Sequence, residues 1–138
     1  MNYYHILSQL DGIISPTWVL LENQSTVDVV SNKTLLRNIR KANNNMAIFL
    51  RDGNTAANLV GYLPGYEAVW FHPGGIANIL SLSKVAEKYR VCYDGTNGNE
   101  LLVHLSRGEM RYFQQFPRGT LYSDMTDSQE TMLVNTRQ

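Results

Sequence analysis

The chain has 138 residues, enough for one domain with a hydrophobic core. Hydrophobic residues make up 43% of it and charged residues 17%, a balance that argues against a largely disordered chain. Twelve basic and twelve acidic residues cancel, so the sequence lacks the basic excess typical of nucleic-acid-binding proteins and the net charge that keeps copies of a chain apart.

The cysteine and histidine content limits the disulfides and metal sites that the chain can form. Cys92 is the one cysteine, which excludes an intrachain disulfide and favours a reducing, cytoplasmic compartment. His5, His72 and His104 lie too far apart along the chain for a helical metal pair. We therefore expect no metal and no cofactor. Residues 1–14 lack a signal-peptide pattern, and no apolar run is long enough to cross a membrane, so no membrane partner is expected.

Short strands separated by turns dominate the predicted structure. An apolar run at residues 17–21 predicts the first strand. Residues 33–40 predict a short helix after a capping Ser31 or Asn32, since Leu35, Leu36 and Ile39 share one helical face, and residues 43–45 end that unit. The pattern then predicts a strand at 46–51, two apolar arms at 58–71, a strand at 76–82 and a helix at 84–88.

Glycine-containing turns divide the middle of the chain. Asp52-Gly53 is a strong hairpin-turn pair. We interpret Asp52 as a turn residue and not as a catalytic acid, because no hydroxyl adjoins it. Residues 58–71 have Gly and Pro between their apolar arms, which predicts either a hairpin with a mobile tip or a plain loop between two strands.

The last third of the chain has the pattern of a meander. Strands are predicted at 89–93, which contains Cys92 as a packed residue, and at 101–105, 110–113 and 121–122. Strands at this spacing favour a sandwich or a small barrel, so the fold class is mainly β. Residues 126–138 are polar and poorly patterned, and we expect a flexible tail there.

One segment carries a candidate for catalysis. The apolar run at 17–21 delivers Glu22 to the polar loop that begins at Asn23, and a second apolar run follows. Most such segments are ordinary turns with a solvated acid. Aspartic peptidases nevertheless place their catalytic carboxylate in this way, at a rigid strand end followed by a tight loop with hydroxyls.

Several segments of the chain, taken in order, resemble the corresponding segments of one known family. They are residues 18–30, 58–70, 75–83, 89–91 and 117–122. Together they resemble the protease region of copia-type LTR-retrotransposon polyproteins, in the variant with Asp-Asn-Gln-Ser-Thr at the catalytic loop. The resemblance covers about residues 16–125, which makes 1–15 an N-terminal extension and 126–138 a tail or linker. Residues 132–136 resemble the linker that leads to the integrase region, so we expect a piece of a longer polyprotein.

The resemblance implies a retropepsin-like fold, a small closed β-barrel with one or two short helices that works as a homodimer on a peptide or polyprotein substrate. It implies a cytoplasmic location or one within retrotransposon particles. Glu22 occupies the catalytic Asp position. The loop-supporting residues are Asn23, Gln24, Ser25 and Thr26. The flap and substrate-binding residues are Gly61, Tyr62, Leu63, Pro64, Gly65 and Tyr66. The residues packed behind the loop are Ile79, Leu80 and Ser81.

The acid itself departs from the family. Two carboxyls about 3 Å apart share one proton, and one acts as base while the other acts as acid. Glu22 adds a methylene on each side of that pair, and a misplacement of about 1 Å can cost on the order of a hundredfold in rate. Gln24 stands where Gly normally allows close approach of the backbone. We therefore expect weak or absent activity.

Two alternatives stay open. The same fold could persist as a dimerising or peptide-binding module without hydrolysis, because strand-addition binding needs only backbone groups and pockets. The chain could also be a β-domain with no link to peptidases, in which case the Glu22 loops of two copies would not face each other.

Overall fold

The computed structural model describes residues 15–50, 53–75, 77–95, 100–105, 108, 110–115 and 121–125, with the backbone alone for 44–50 and 53–57. Within these residues it contains ten strands, one α-helix and one 3-10 helix. In chain order they are β1 (Trp18–Glu22), β2 (Val29–Val30), the 3-10 helix (Lys33–Leu35), β3 (Arg37–Leu50), β4 (Gly53–Tyr62), β5 (Ala68–Phe71), β6 (Asn78–Ser81), α1 (Leu82–Lys88), β7 (Arg90–Asp94), β8 (Glu100–His104), β9 (Met110–Gln115) and β10 (Leu121–Asp124).

The prediction of a mainly β structure is confirmed, but the closed barrel is not observed. The ten described strands form one mixed sheet in the order β3-β4-β5-β2-β6-β1-β10-β9-β8-β7. β3 and β7 are its two ends, and each pairs with a single neighbour, β4 and β8 respectively. A barrel would need a hydrogen-bonded ladder between the end strands, and the described residues form none.

β1 lies in the middle of the sheet because its residues are apolar on both faces. Val19, Leu20 and Leu21 are all buried. β6 pairs with β1 in parallel and β10 pairs with it antiparallel. A continuous apolar run is typical of a strand covered on both sides, and the predicted strand at 17–21 is confirmed with a shift of one residue.

The two helix predictions had different outcomes. The helix predicted at 84–88 is confirmed as α1, which begins two residues earlier because the Ser81 side chain accepts from the Lys84 N–H as an N-cap. The helix predicted at 33–40 is wrong beyond Leu35. Leu36 is extended, with φ −116° and ψ 155°, and Asn38 has φ 54°. From Arg37 onward the backbone pairs with β4 instead.

β3 and β4 form a long antiparallel hairpin. Leu50 pairs with Gly53, and the ladder runs to Arg37 opposite Tyr62. The predicted hairpin at this position is confirmed, although Asp52 lies outside the described residues. Residues 43–45, predicted to end the preceding unit, lie inside β3. The ladder has two register shifts, between Arg37 and Arg40 and between Lys41 and Met46, where extra residues on β3 are accommodated as bulges.

The predicted meander is confirmed, with β7, β8, β9 and β10 as successive antiparallel neighbours. Its last strand inserts beside β1 and so joins the meander to the centre of the sheet. The predictions on residues 1–14 and 126–138 concern chain outside the described residues.

A single apolar cluster holds the two halves of the sheet and the helix together. Side chains from β1, α1 and the meander meet there, represented by Leu21, Val85 and Phe113. Each fully buried aliphatic or aromatic side chain of this kind contributes about 1.5–3 kcal/mol relative to exposure. Because β1 contributes to this cluster, the strand that ends at Glu22 is rigid.

Candidate functional site

Glu22 is the last residue of β1 and lies half-buried at its carboxyl end. Its register partner in the parallel pair is Ser81, the last residue of β6. Two parallel strands therefore end side by side, one with a carboxylate and the other with a hydroxyl. The structure places Glu22 at the end of a rigid strand, before a short loop that leads to β2.

The loop after Glu22 is held by bonds to its own backbone. The Gln24 N–H donates to Glu22 Oε1 at 3.4 Å. Ser25 is buried, and its hydroxyl donates to the Val27 carbonyl at 2.7 Å and accepts from the Val27 N–H at 3.3 Å. Asn23, Gln24 and Thr26 are exposed. Ser25 thus closes the loop, while its three polar neighbours face solvent.

β6 supplies the support behind this loop. Ile79, Leu80 and Ser81 pair with Leu20, Leu21 and Glu22, and the three β6 residues are buried. Ser81 ends β6 and caps α1, and its hydroxyl lies 3.0 Å from that of Ser83. The segment therefore aligns the end of β1 and starts the only α-helix of the described chain.

Residues 63–66 form a packed turn, whereas Tyr62 before it is 43% exposed. β4 ends at Tyr62, and the turn that follows is closed by bonds from the Leu63 N–H to the Glu67 carbonyl and from the Tyr66 N–H to the Leu63 carbonyl. Leu63 is fully buried and Tyr66 is 3% exposed. The Tyr89 hydroxyl donates to the Gly65 carbonyl. Of the two structures predicted for 58–71, the hairpin of β4 and β5 is observed, with a packed turn.

Asp28 is a buried acid that the sequence analysis did not select. It is 4% exposed. Its Oδ1 accepts from the Ser81 N–H at 2.8 Å and its Oδ2 from the Tyr66 hydroxyl at 2.9 Å. Its carbonyl accepts from the Trp70 N–H at 3.1 Å. A signal was available in the sequence, since a charged residue among Val27, Val29 and Val30 must be either exposed or specifically bonded.

Burial dominates the electrostatics around Asp28. Desolvation raises the pKa of its carboxyl above the ordinary 3.8, while the bonds from Ser81 and Tyr66 and the charge of Lys84 lower it, and Glu67 raises it. Burial and the proximity of Asp28 raise the pKa of the Tyr66 hydroxyl well above its usual range. Tyr66 therefore stays protonated, and its hydroxyl donates to the ionised carboxylate of Asp28.

A cleft of about 480 Å³ lies elsewhere in the molecule. Its lining includes Pro16, Lys33, Phe71, Pro73 and Asn78. Pro16 and Asn78 stand at the starts of β1 and β6, Lys33 lies in the 3-10 helix, and Phe71 and Pro73 lie at the end of β5. The cleft therefore lies at the opposite end of β1 and β6 from Glu22, on the order of 10–20 Å away at about 3.3 Å per residue. The candidate catalytic loop and the cleft are therefore separate features.

The part of the chain that the structure describes offers no group of three His, Cys, Asp or Glu side chains placed to hold a metal ion. No helix among the same residues is both long enough and apolar enough to cross a membrane. Comparisons with protein-family models, with curated proteins and with solved structures found no match to this chain. The geometry around Glu22 and the resemblance of its sequence are therefore the observations that bear on the function of this chain.

Proposed function

We propose that this chain is an acid-dependent peptidase domain that needs a second copy of itself. More narrowly, it is a retropepsin-like aspartic endopeptidase domain of copia-type retrotransposon origin, which processes a polyprotein in the cytoplasm or in retrotransposon particles. Each protomer gives one Glu22 loop to a shared site. Activity is weak or absent because Glu22 stands in the place of an aspartate.

The observation that supports this most is the parallel pair of β1 and β6. A carboxylate at the end of a buried strand, followed by a loop closed by Ser25, is what the chemistry of an aspartic dyad requires: a fixed acid with little freedom to relax. Ser81, which lies beside Glu22 in this ladder, and its neighbours Ile79 and Leu80 are the residues that the resemblance assigns to the packing segment behind the loop. A solvated turn acid would need none of this support.

The flap role fits β3 and β4 better than residues 61–66. A flap must close over a substrate and open again, which requires long arms with few anchors. The β3–β4 hairpin has arms of 14 and 10 residues, whereas the turn at 63–67 is fixed by Tyr66 and Tyr89. We therefore propose β3–β4 as the element that covers bound peptide.

Replacing Glu22 with Asp tests the proposal. The longer side chain crowds the water that two facing carboxyls must hold, so the unmodified chain should cleave a peptide library very slowly or not at all. Glu22→Asp should raise the rate by about a hundredfold in mildly acidic buffer, where the pair keeps one proton. The measurement is cleavage followed by mass spectrometry.

Two variants control this experiment. Glu22→Ala removes the acid and should abolish any cleavage, while Glu87→Asp makes the same shortening at an exposed position of α1 and should change nothing. Cleavage that persists in Glu22→Ala would assign the activity to another residue. Strong cleavage by the unmodified chain would show that the extra methylene is tolerated.

A non-catalytic module on the same fold is the second candidate, and one observation favours it. Glu22 Oε1 accepts from the Gln24 N–H of its own loop, so the carboxylate folds back onto the backbone. A peptide-binding protein would tolerate this pose. Peptide binding without cleavage, unchanged in Glu22→Asp, would support this second function.

A further inference from the structure

Asp28 is a carboxylate that the chemistry proposed for Glu22 does not use. It lies six residues after Glu22, at the far end of the candidate loop. Its two oxygens and its carbonyl bind three separate segments: the end of β6 through Ser81, the turn at 63–67 through Tyr66, and β5 through Trp70. Such a residue fixes the relative placement of these segments.

Ser81 connects Asp28 to Glu22. The Ser81 N–H that donates to Asp28 belongs to the residue that stands beside Glu22 in the parallel ladder. Ser25 closes the backbone between the two acids. The loop is therefore anchored at both ends, through the β1–β6 ladder at Glu22 and through the bonds of Asp28 at its other end.

Two hydrogen-bond donors and two charged side chains surround the Asp28 carboxylate. The turn at 63–67 presents the Tyr66 hydroxyl and the Glu67 carboxylate, and α1 presents the Ser81 N–H at its start and the Lys84 ammonium. Both carboxylate oxygens accept a bond, so the ionised form satisfies the site. A proton on Oδ2 would reverse the bond to Tyr66, whose hydroxyl would then accept from the carboxyl, and would leave Oδ1 a weaker, uncharged acceptor for the Ser81 N–H.

An ionised Asp28 lowers the stability of the folded state. Burial raises the pKa of its carboxyl, so the folded chain binds this proton more tightly than the unfolded chain does. The contribution of Asp28 to stability is therefore greatest below its ordinary pKa of 3.8 and is lost as the pH rises through the raised value. A residue that lowers stability near neutral pH, next to a candidate catalytic loop, is typical of functional sites.

We propose that the ionised carboxylate of Asp28 is a positioning residue for Glu22: it holds Ser81, and through Ser81 the end of β1, in the pose that a facing acid needs. The role rests on the proposed peptidase function. It predicts that acidification strengthens the fold through Asp28 while it lowers cleavage, because the neutral carboxyl holds the Ser81 N–H less tightly than the carboxylate does.

The test uses the Glu22→Asp protein as the active parent. Asp28→Asn keeps the shape and removes the charge, so kcat per folded dimer should fall about tenfold with KM within about threefold, while stability at neutral pH is not lowered. The acid limb of its pH profile should move to lower pH. Tyr66→Phe removes a bond that favours the ionised form, so its acid limb should move to higher pH.

Tyr93→Phe, at a tyrosine that is 65% exposed, is the matched control and should leave the profile of the parent unchanged. A purely structural role would lower activity only in step with the folded fraction. That result, or an acid limb that neither Asp28→Asn nor Tyr66→Phe moves, would overturn the positioning role.

Amide hydrogen exchange in the otherwise unmodified chain gives a readout that needs no cleavage. Asp28→Ala and Tyr66→Phe should each speed exchange at the Ser81 and Gln24 amides, by about tenfold in Asp28→Ala. The Trp70 amide, which donates to the backbone carbonyl of Asp28, is the internal control and should not change. An unchanged Gln24 amide in both variants would overturn the proposal.

The two proposals fail separately. If Glu22→Asp cleaves nothing while the Ser81 and Gln24 amides respond, the peptidase function is wrong and Asp28 still positions the loop. If Glu22→Asp cleaves and neither amide responds, the peptidase function stands and the role assigned to Asp28 is wrong.

Discussion

Asn78 uses all four hydrogen-bonding positions of its side chain. Its Nδ2 donates to the Pro16 and Trp18 carbonyls, each at 2.9 Å, and its Oδ1 accepts from the Ser31 N–H at 2.9 Å and the Asn32 N–H at 3.0 Å. The residue is 1% exposed. It ties the start of β1 to the segment after β2, at the end of the sheet opposite Glu22.

Removing this side chain should be costly. Asn78→Ala leaves two buried N–H groups and two carbonyls without that partner, and we expect the free energy of unfolding to fall by about 3 kcal/mol. Chemical denaturation measures the loss. Asn32→Ala, which removes a more exposed cap of the 3-10 helix, should cost about 1 kcal/mol or less. Equal losses in the two variants would contradict the special role of Asn78.

Asp28 is an example of a single residue whose contacts cannot be predicted from the sequence. The partners of its carboxylate, Tyr66 and Ser81, lie 38 and 53 residues further along the chain. Local pattern cannot supply such a contact: the valines around Asp28 indicate that it is either exposed or specifically bonded, and the fold alone decides between the two. Glu22 was accessible to sequence reasoning because its signal, a strand followed by a polar loop, is local.

Among the elements, the strands of uniform burial were predictable and the hairpin arm β3 was not. The central residues of β1 and β6 are apolar, and their pattern alone predicts both strands. Leu36, just before β3, is buried, while Ile39 in β3 is 38% exposed, so the helical face predicted for both does not exist. Pairing with β4, whose residues come later in the chain, outweighs the local helical pattern.

Gly61 shows how closely β3 and β4 are packed. A Cβ at this position would lie 3.0 Å from Leu36 Cδ1, 3.1 Å from Leu36 Cβ and 3.2 Å from Ile39 Cγ1. Only glycine allows the start of β3 to approach β4 so closely. The side chains of Leu36 and Ile39 must give way by a few tenths of an ångström if a methyl group is added.

Gly61→Ala should therefore lower the free energy of unfolding by about 1–3 kcal/mol through overpacking. Gly74→Ala is the matched control, because its nearest neighbours are atoms of the His72 ring at 3.6 Å, an ordinary contact distance. It should change stability by about 0.5 kcal/mol at most. Thermal and urea unfolding of both variants would measure these changes. An unchanged free energy of unfolding in Gly61→Ala would mean that Leu36 can move aside at little cost.

At the scale of the whole molecule, the sequence predicted the class of fold but not its closure. Alternation and turn residues predicted most of the strands, but neither β2 nor residues 37–45 of β3. They do not predict whether β3 and β7 meet, because that depends on twist and on pairing between segments far apart in the chain.

The proposed dimer makes a prediction at this scale. In a Cys92→Ser background, Asn23→Cys should form a disulfide between protomers under mild oxidation, because a twofold axis beside Glu22 brings the two loops together and a disulfide needs Cα atoms about 4.4–6.8 Å apart. Glu87→Cys, on the exposed face of α1, should not. Non-reducing electrophoresis gives the answer, and equal linking of both or monomers alone in sedimentation would contradict the dimer.

The position of β1 has a consequence for the order in which this protein becomes competent during its synthesis. The two strands that flank β1 come from far downstream: β6 begins at Asn78, and β10 pairs Trp18 with Asp124. Glu22 is translated before either flanking strand. β1 therefore stays unpaired until β6 has been made, and it lacks its second neighbour until β10, about a hundred residues after Glu22, has been made. Contacts this distant in sequence form late and slowly. A nascent or truncated chain that stops short of β10 therefore carries the acid without the scaffold, which delays any hydrolysis until the whole domain has been made.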